Sequence, residues 1–280
     1  MLRAGKPSRT AQGAAVHRAV HQIVEGGFIF TDPFAIDILD DNMRAELPEK
    51  ADDPSHQPMR LFIAARSRFS EDTLAACVAR GARQVVILGA GLDTFSLRNP
   101  HAGKGVRVFE VDYPATQVWK REHLKQAGLA VPPSLTFAPV DFERQSLADG
   151  LLAAGFRADQ PAYFQWLGVV PYLSREAIVT TLDFIADIPG SEVVFDYAEP
   201  LENLLPEIRT SVAAIAARAA SIGEPWLSLF DPADMSSLLR DRHFGHVEDL
   251  SRADFADRYY SHLKQGIRTG AGPHLVRAIS

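Results

Sequence analysis

Three short runs place glycines or carboxylates where an apolar stretch gives way to a loop. The first is VVILGAGLDT, Val85 to Thr94, in which a β-branched run ends in Gly89-Ala90-Gly91. Glycine lets the backbone turn sharply and lets a ligand approach the main chain with no Cβ in the way. A lone G-x-G fits a nucleotide-binding turn and also a plain tight turn. The second run is VFEVDYP, where Glu110 and Asp112 precede Pro114. Strand alternation puts both acids on one side, and a carboxylate there can accept a pair of ribose hydroxyls; either can serve, and either can instead cap the helix that Pro114 opens. The third run is APVDFER, where Asp141 and Phe142 combine an acceptor with an apolar side chain, and where Asp141 can also cap the next helix.

Taken together, acids and glycines at three successive strand ends describe a nucleoside site. Two cofactors compete for it. A dinucleotide fingerprint needs a third glycine and a helix N-terminus that receives a pyrophosphate. Here Thr94 stands at the third position with Asp93 beside it, and a carboxylate repels a pyrophosphate. S-adenosylmethionine (SAM) has no phosphate, and its ammonium and sulfonium groups favour an acidic neighbour. In that reading Asp112 or Glu110 holds the ribose, Asp141 accepts the adenine amino group and Phe142 lies against the ring. An acid after the second strand suits NAD as well, so an NAD-dependent oxidoreductase is one alternative. A SAM-binding protein without transferase activity is another.

The elements around these runs alternate. Strands are expected at Gln84–Leu88, Val106–Val111, Leu135–Val140, Ala162–Leu167 and Glu192–Tyr197, with helices from Pro114 to Gln126, Glu143 to Ala154 and Arg175 to Ile188 between them. Strands that alternate with helices imply a mostly parallel sheet covered on both faces, and near-continuous apolar strands agree. Ahead of them, helices are expected over Thr10–Val24, from Asp32-Pro33 through Leu39, and over Met59–Ala79, with Leu47–Pro58 as a loop. After Pro200 come an alanine-rich helix from Asn203 to Ile222, a helix over Pro232–Arg240, and strands at Phe244–Leu250 and His274–Ile279. The expected organisation is an N-terminal helical cap over 1–80 and an α/β unit over 81–280 with a helical insertion at about 200–242.

Composition narrows the classes. The 280 residues carry a net charge of -6, with 46% hydrophobic and 23% charged residues, ordinary for a soluble domain. An acidic chain without a basic run argues against nucleic acid as a partner. No apolar stretch reaches the roughly 20 residues of a membrane helix, so no membrane partner and a cytoplasmic location are expected. The one cysteine, Cys77, cannot build a disulfide or a cysteine metal site and reads as a buried small hydrophobe. His17 and His21 fall on one face of the first helix that could lid the site, but read better as a solvated face; no H-E-x-x-H supports a metal and no G-x-S-x-G supports a hydrolase. Asp196, Tyr197 and Glu199 lie at the ligand edge of the fifth strand, and Tyr172 and Trp226 suit an acceptor pocket or the core. No residue is singled out as a general base.

The sequence resembles the leucine carboxyl methyltransferase-like group of class I SAM methyltransferases, which includes polyketide O-methyltransferases of actinobacteria. TAQGAAVHRAV and TDPFAIDIL carry the resemblance at the N-terminus, followed by FIAARSRFSEDTL, GAGLDT, FEVDYP, VDFE and WLGVVPYLS. The resemblance implies a seven-stranded, Rossmann-like, mostly parallel sheet and SAM-dependent O-methylation of a small-molecule carboxylate or hydroxyl. It also implies that Arg66 pairs with the SAM carboxylate, that Gly89, Ala90 and Gly91 line the methionine part, and that Asp112 takes the ribose and Asp141 with Phe142 the adenine; Arg18 aligns loosely with an N-terminal basic contact. One departure stands out: the group often has Glu-Gly where this chain has Leu167-Gly168, so a glutamate near the methionine ammonium or the acceptor is missing.

Overall fold

The computed structural model describes residues 8–141, 145–263 and 271–280. Seven strands form one sheet: β1 (Gln84–Leu88), β2 (Arg107–Asp112), β3 (Leu135–Pro139), β4 (Ala162–Trp166), β5 (Glu192–Ala198), β6 (His246–Leu250) and β7 (Pro273–Ile279). Their spatial order is β3-β2-β1-β4-β5-β7-β6. β1 to β5 pair in parallel, and β7 runs antiparallel between β5 and β6. The chain order reverses at the β1/β4 junction, and ligands in open α/β sheets bind outside the carboxyl ends of the strands at such a point.

The helices among the described residues are α1 (Arg9–Val24), α2 (Asp41–Ala45), α3 (Leu47–Asp52), α4 (Gln57–Ala79), α5 (Phe95–Arg98), α6 (Pro114–Gln126), α7 (Leu147–Ala153), α8 (Arg175–Ala186), α9 (Pro206–Ser221), α10 (Pro232–Arg240) and α11 (Arg252–Tyr260). Strand alternation divides the core. Val86 and Leu88 of β1 join a cluster with Phe109, Phe164, Leu151, Leu182 and Leu239, under α7, α8 and α10. Val85 and Ile87 join the opposite cluster with Val108, Phe69, Leu74 and Phe255, under α4 and α11. Phe69 is fully buried, and its burial contributes about 1.5–3 kcal/mol. Both faces being covered, β1 is buried along its whole length. A third cluster joins Val16, Ala19 and Val20 of α1 to Ala35, Ile38, Leu39 and Met43 and to Leu124 of α6, so the N-terminal helices are anchored on the first half of the sheet.

Several elements differ from the sequence pattern. Residues 33–38 form turns, with the helix delayed to α2; Asp32 uses its Oδ1 to accept the Phe34 N–H and its Oδ2 to receive Thr94, so it organises a turn rather than a helix start. The stretch read as a loop over Leu47–Pro58 holds α3, a 3-10 turn at Pro54–His56 and the start of α4; its prolines lie in first helical turns, where the missing N–H is harmless. α11 was not expected, although Ser251 and Asp254 give it a capping box. The alanine-rich helix begins later, at Pro206, after a 3-10 turn over Leu201–Asn203. Among the described residues no helix is long and apolar enough to cross a membrane.

Candidate cofactor and acceptor site

The glycine turn after β1 sits at the reversal of strand order. Gly89 has φ +66°, and a Cβ there would stand 2.6 Å from Cγ2 of Val169, which follows β4. Glycine is therefore required twice over, by conformation and by space. Ala90 donates its N–H to the Val111 carbonyl at 3.0 Å, and Gly91 donates to Oδ2 of Asp112 at 2.6 Å. These bonds fasten the turn to the end of β2. The next strand end is fastened in the same way, by Val140 N–H to the Asp112 carbonyl at 3.0 Å. Asp141 follows directly, half-buried, its carbonyl accepting the Gln145 N–H. Gly89, Ala90, Gly91, Asp112 and Asp141 are thus brought side by side at the carboxyl ends of β1, β2 and β3. Phe142 lies outside the described residues.

The two acids of β2 have different surroundings. Glu110 is fully buried, with Lys120 Nζ at 2.7 Å and the Ser96 hydroxyl at 2.6 Å. Burial pushes its carboxyl above the usual range, against the pull of Lys120. It ties β2 to α5 and α6. Asp112 stays half-buried at the crevice, where burial raises its carboxyl although the Gly91 and Tyr113 amides favour the charged form. Tyr113 beside it presents an exposed ring, a residue not singled out from the sequence.

Asp93 has a structural role. Its Oδ1 accepts the Phe95 N–H at 2.7 Å and its Oδ2 accepts Nε2 of Gln165 at 3.0 Å. It occupies the first-turn amide that a pyrophosphate would use, which removes the dinucleotide reading. Gln165 also accepts from Ser70 at 2.9 Å, so it braces α4 against the turn.

Arg66 reaches the crevice from α4. Its Nη1 lies 3.2 Å from Oδ2 of Asp196 on β5, and its guanidinium packs on Gly168, where a Cβ would meet Nη1 at 2.8 Å. Asp196 also accepts the Gly168 N–H at 2.6 Å, and burial raises its carboxyl in opposition to Arg66. Arg68, by contrast, is the solvated residue, paired with Asp72 one turn on. Arg18 is buried, bonded to Asp32 and to the Leu92 carbonyl at 2.6 Å; it pins α1 to the glycine turn. Tyr197 and Glu199 lead away from the crevice, Tyr197 to Asp249 and Glu199 to His274.

α1 covers the crevice with its first turn. Ala11 Cβ lies 3.1 Å from the place a Gly91 Cβ would take. That turn is held by Glu224, whose carboxylate accepts Arg9 N–H, Thr10 N–H and the Thr10 hydroxyl. Thr10 and Trp226 also border the Tyr172 hydroxyl, near Arg66 and Asp196. The histidines of α1 correct the expectation of a solvated face. His21 is fully buried and bonded to Glu25, and the His17 ring packs edge-on against His56 at 5.5 Å. Burial first, then the nearby His56, Lys50, Arg60 and Arg66, lower the His17 pKa to about 3, so its ring is neutral at neutral pH.

The family described as leucine carboxyl methyltransferase matches residues 11–186. The chain belongs to that family. It is accordingly a SAM-dependent methyltransferase of the class I fold. It is 34% identical over 306 residues to YktD of Bacillus subtilis strain 168, named for SAM-dependent methyl transfer, with 99% of each chain covered. A relative of the same description in Mycobacterium avium strain 104 is 31% identical over 298 residues, covering 95% of this chain and 92% of the other. Among solved structures, a methyltransferase of Thermobifida fusca YX superposes with a TM-score of 0.56 at 17% identity, covering 99% of this chain and 96% of that one; this likeness concerns the fold.

Proposed function

We propose that this methyltransferase transfers the SAM methyl group to an oxygen of a small acid, forming a methyl ester. The observation that carries the reading is the surroundings of His17: its ring packs against that of His56 at 5.5 Å, and burial first, then the nearby His56, Lys50, Arg60 and Arg66, lower its pKa to about 3. An ionised carboxylate is a nucleophile at pH 7 without a general base. His17, with a pKa of about 3, is too weak a base to activate a phenol or alcohol, whose catalyst works best near the operating pH. The carboxyl chemistry in the family's description supports the same acceptor.

The residues would divide the work as follows. Arg66 would hold the methionine carboxylate by a directional pair, the backbone of Gly89, Ala90 and Gly91 would line the methionine, Asp112 would accept the ribose hydroxyls, and Asp141 with Phe142 would take the adenine. The cradle fits that group: the glycine turn admits close approach, and the acids stand where hydroxyl and amine donors arrive. When bound, SAM supplies an electrophilic methyl on a sulfonium. The chain's part is to align the acceptor oxygen with it and exclude water, the role we assign to the first turn of α1 with Tyr172 and Trp226. The test is methyl transfer from labelled SAM to a panel of carboxylic acids and phenols, followed by mild base. Base-labile label on an acid is expected; label only in base-stable ethers would refute the carboxylate acceptor.

A further inference from the structure

We propose that Asp196 is the residue that receives the methionine ammonium of SAM, so that Arg66 and Asp196 together recognise the zwitterionic end of the cofactor. The inference rests on the reading of Arg66 given above. It starts from the register. β4 and β5 pair through Trp166 and Phe195, so the next step of the parallel ladder brings position 167 beside Asp196. Leu167 offers only carbon there, and the acid stands one strand over.

Asp196 turns toward the crevice. Its Oδ1 takes the Gly168 N–H at 2.6 Å and its Oδ2 takes Arg66 Nη1 at 3.2 Å. That second contact exceeds the 2.7–2.9 Å usual for a charge-assisted bond, and among the described residues it is the one hydrogen bond Arg66 makes. Both side chains are largely shielded from water, at 13% and 6% exposure, so the pair is a loosely closed ion pair in a low-dielectric site. An α-amino acid presents a cation and an anion a few ångströms apart. A lone arginine would attract its carboxylate and repel its ammonium and sulfonium. An arginine and an aspartate side by side match both charges, and each would exchange its partner in the protein for one on the ligand.

Other acids near the crevice are engaged elsewhere. Glu110 is held by Lys120 and Ser96. Asp93 is held by Phe95 and Gln165, and Asp112, at the end of β2, is the acid assigned above to the ribose. Asp196 is the acid that adjoins Arg66.

The experiment is a calorimetric comparison of three ligands: S-adenosylhomocysteine, its deamino analogue, which keeps the carboxylate, and 5′-methylthioadenosine, which lacks the amino-acid end. In the wild type the deamino analogue should bind about 10- to 100-fold more weakly than S-adenosylhomocysteine, the size of a charged hydrogen bond. Asp196→Asn should weaken S-adenosylhomocysteine by a similar factor and leave the deamino analogue and 5′-methylthioadenosine within twofold. The last ligand reports a folded adenosine site in the variant. Equal losses for S-adenosylhomocysteine and the deamino analogue would overturn the proposal, leaving Asp196 a positioning residue for Arg66. Equal wild-type affinity for those two ligands would overturn it without any variant. The Arg66 reading fails separately, by unchanged affinity of Arg66→Gln for the deamino analogue.

Discussion

Replacing Gly89 by alanine tests whether the glycine turn is required by space as well as by conformation. An L-residue in the left-handed region costs about 1–2 kcal/mol, and Gly89 has φ +66°. The added methyl would also stand 2.6 Å from Val169 Cγ2, well inside the roughly 3.5–4.0 Å at which carbon atoms attract. Val169 is β-branched and stiff at χ1, so the backbone after β4 must move, an overpacking penalty of about 1–3 kcal/mol. Gly89→Ala should therefore lose about 2–5 kcal/mol. Gly105 supplies the control: its φ is +75° and a Cβ there meets nothing within 4 Å, so Gly105→Ala should lose only the conformational part, about 1–2 kcal/mol. Gly168 is the intermediate case, since its φ is +71° and the obstructing atoms are the far end of Arg66. A flexible guanidinium can swing aside, but only by loosening its shielded pair with Asp196, so Gly168→Ala should lose more stability than Gly105→Ala and also lose about tenfold or more in S-adenosylhomocysteine affinity, consistent with a lost charged contact. Denaturant titration of the three variants and calorimetry on the folded proteins give the measurements. Val169→Ala combined with Gly89→Ala should recover the overpacking part. Equal losses at Gly89 and Gly105, or strict additivity in the Gly89/Val169 pair, would refute the steric argument.

Other outcomes follow from the same geometry. Asp112→Ala should weaken S-adenosylhomocysteine binding by about 1–3 kcal/mol, since it removes a charged acceptor and frees the Gly91 amide; unchanged affinity by calorimetry would exclude it from the ribose site. His17 is held neutral down to about pH 3, whereas the unfolded chain binds that proton near pH 6.5; stability should fall as pH drops from 6.5 toward 3, and His17→Gln should lessen that fall in denaturant midpoints taken across the range. His274 behaves oppositely: burial lowers its pKa, but the bonds and charges of Asp249 and Glu199 outweigh this and raise it. Its contribution is complete below about pH 6.5 and fades as pH rises through the higher folded value, so His274→Gln should narrow its stability gap from the wild type at alkaline pH. Cys77 is 1% exposed and burial pushes its thiol up to about 11, so a thiol reagent at pH 8 should react with it far more slowly than with a free thiol, through opening of the surrounding helices.

What the sequence revealed about this site divides along the distance over which each feature is determined. The strand-end glycines and acids were legible because a parallel sheet places successive strand ends side by side, so Gly89, Asp112 and Asp141 adjoin by topology alone. The choice between Glu110 and Asp112 was not legible: alternation gives both the same side, and only Lys120, Ser96 and the length of β2 decide that one is a buried strut. The burial of His21 was hidden because its neighbours Glu25 and Phe28 lie beyond the end of α1, and the surroundings of His17 were hidden because His56 and Lys50 lie in a stretch whose prolines and charges resemble a loop. Arg66 and Asp196 are 130 residues apart, and no local pattern links them. They meet because α4 runs along the sheet with Arg66 at the carboxyl ends of β4 and β5 and Arg80 at the start of β5, on Glu192, and because Gly168 leaves room for a guanidinium against the backbone. The apparent gap at Leu167 follows from the same limit. Read along the chain, an acid is missing after β4; read across the ladder, Asp196 stands beside that position with its carboxylate on the adjoining Gly168 amide. A charge required at a point in space can be supplied from either of two paired strands, and register rather than sequence position tells which.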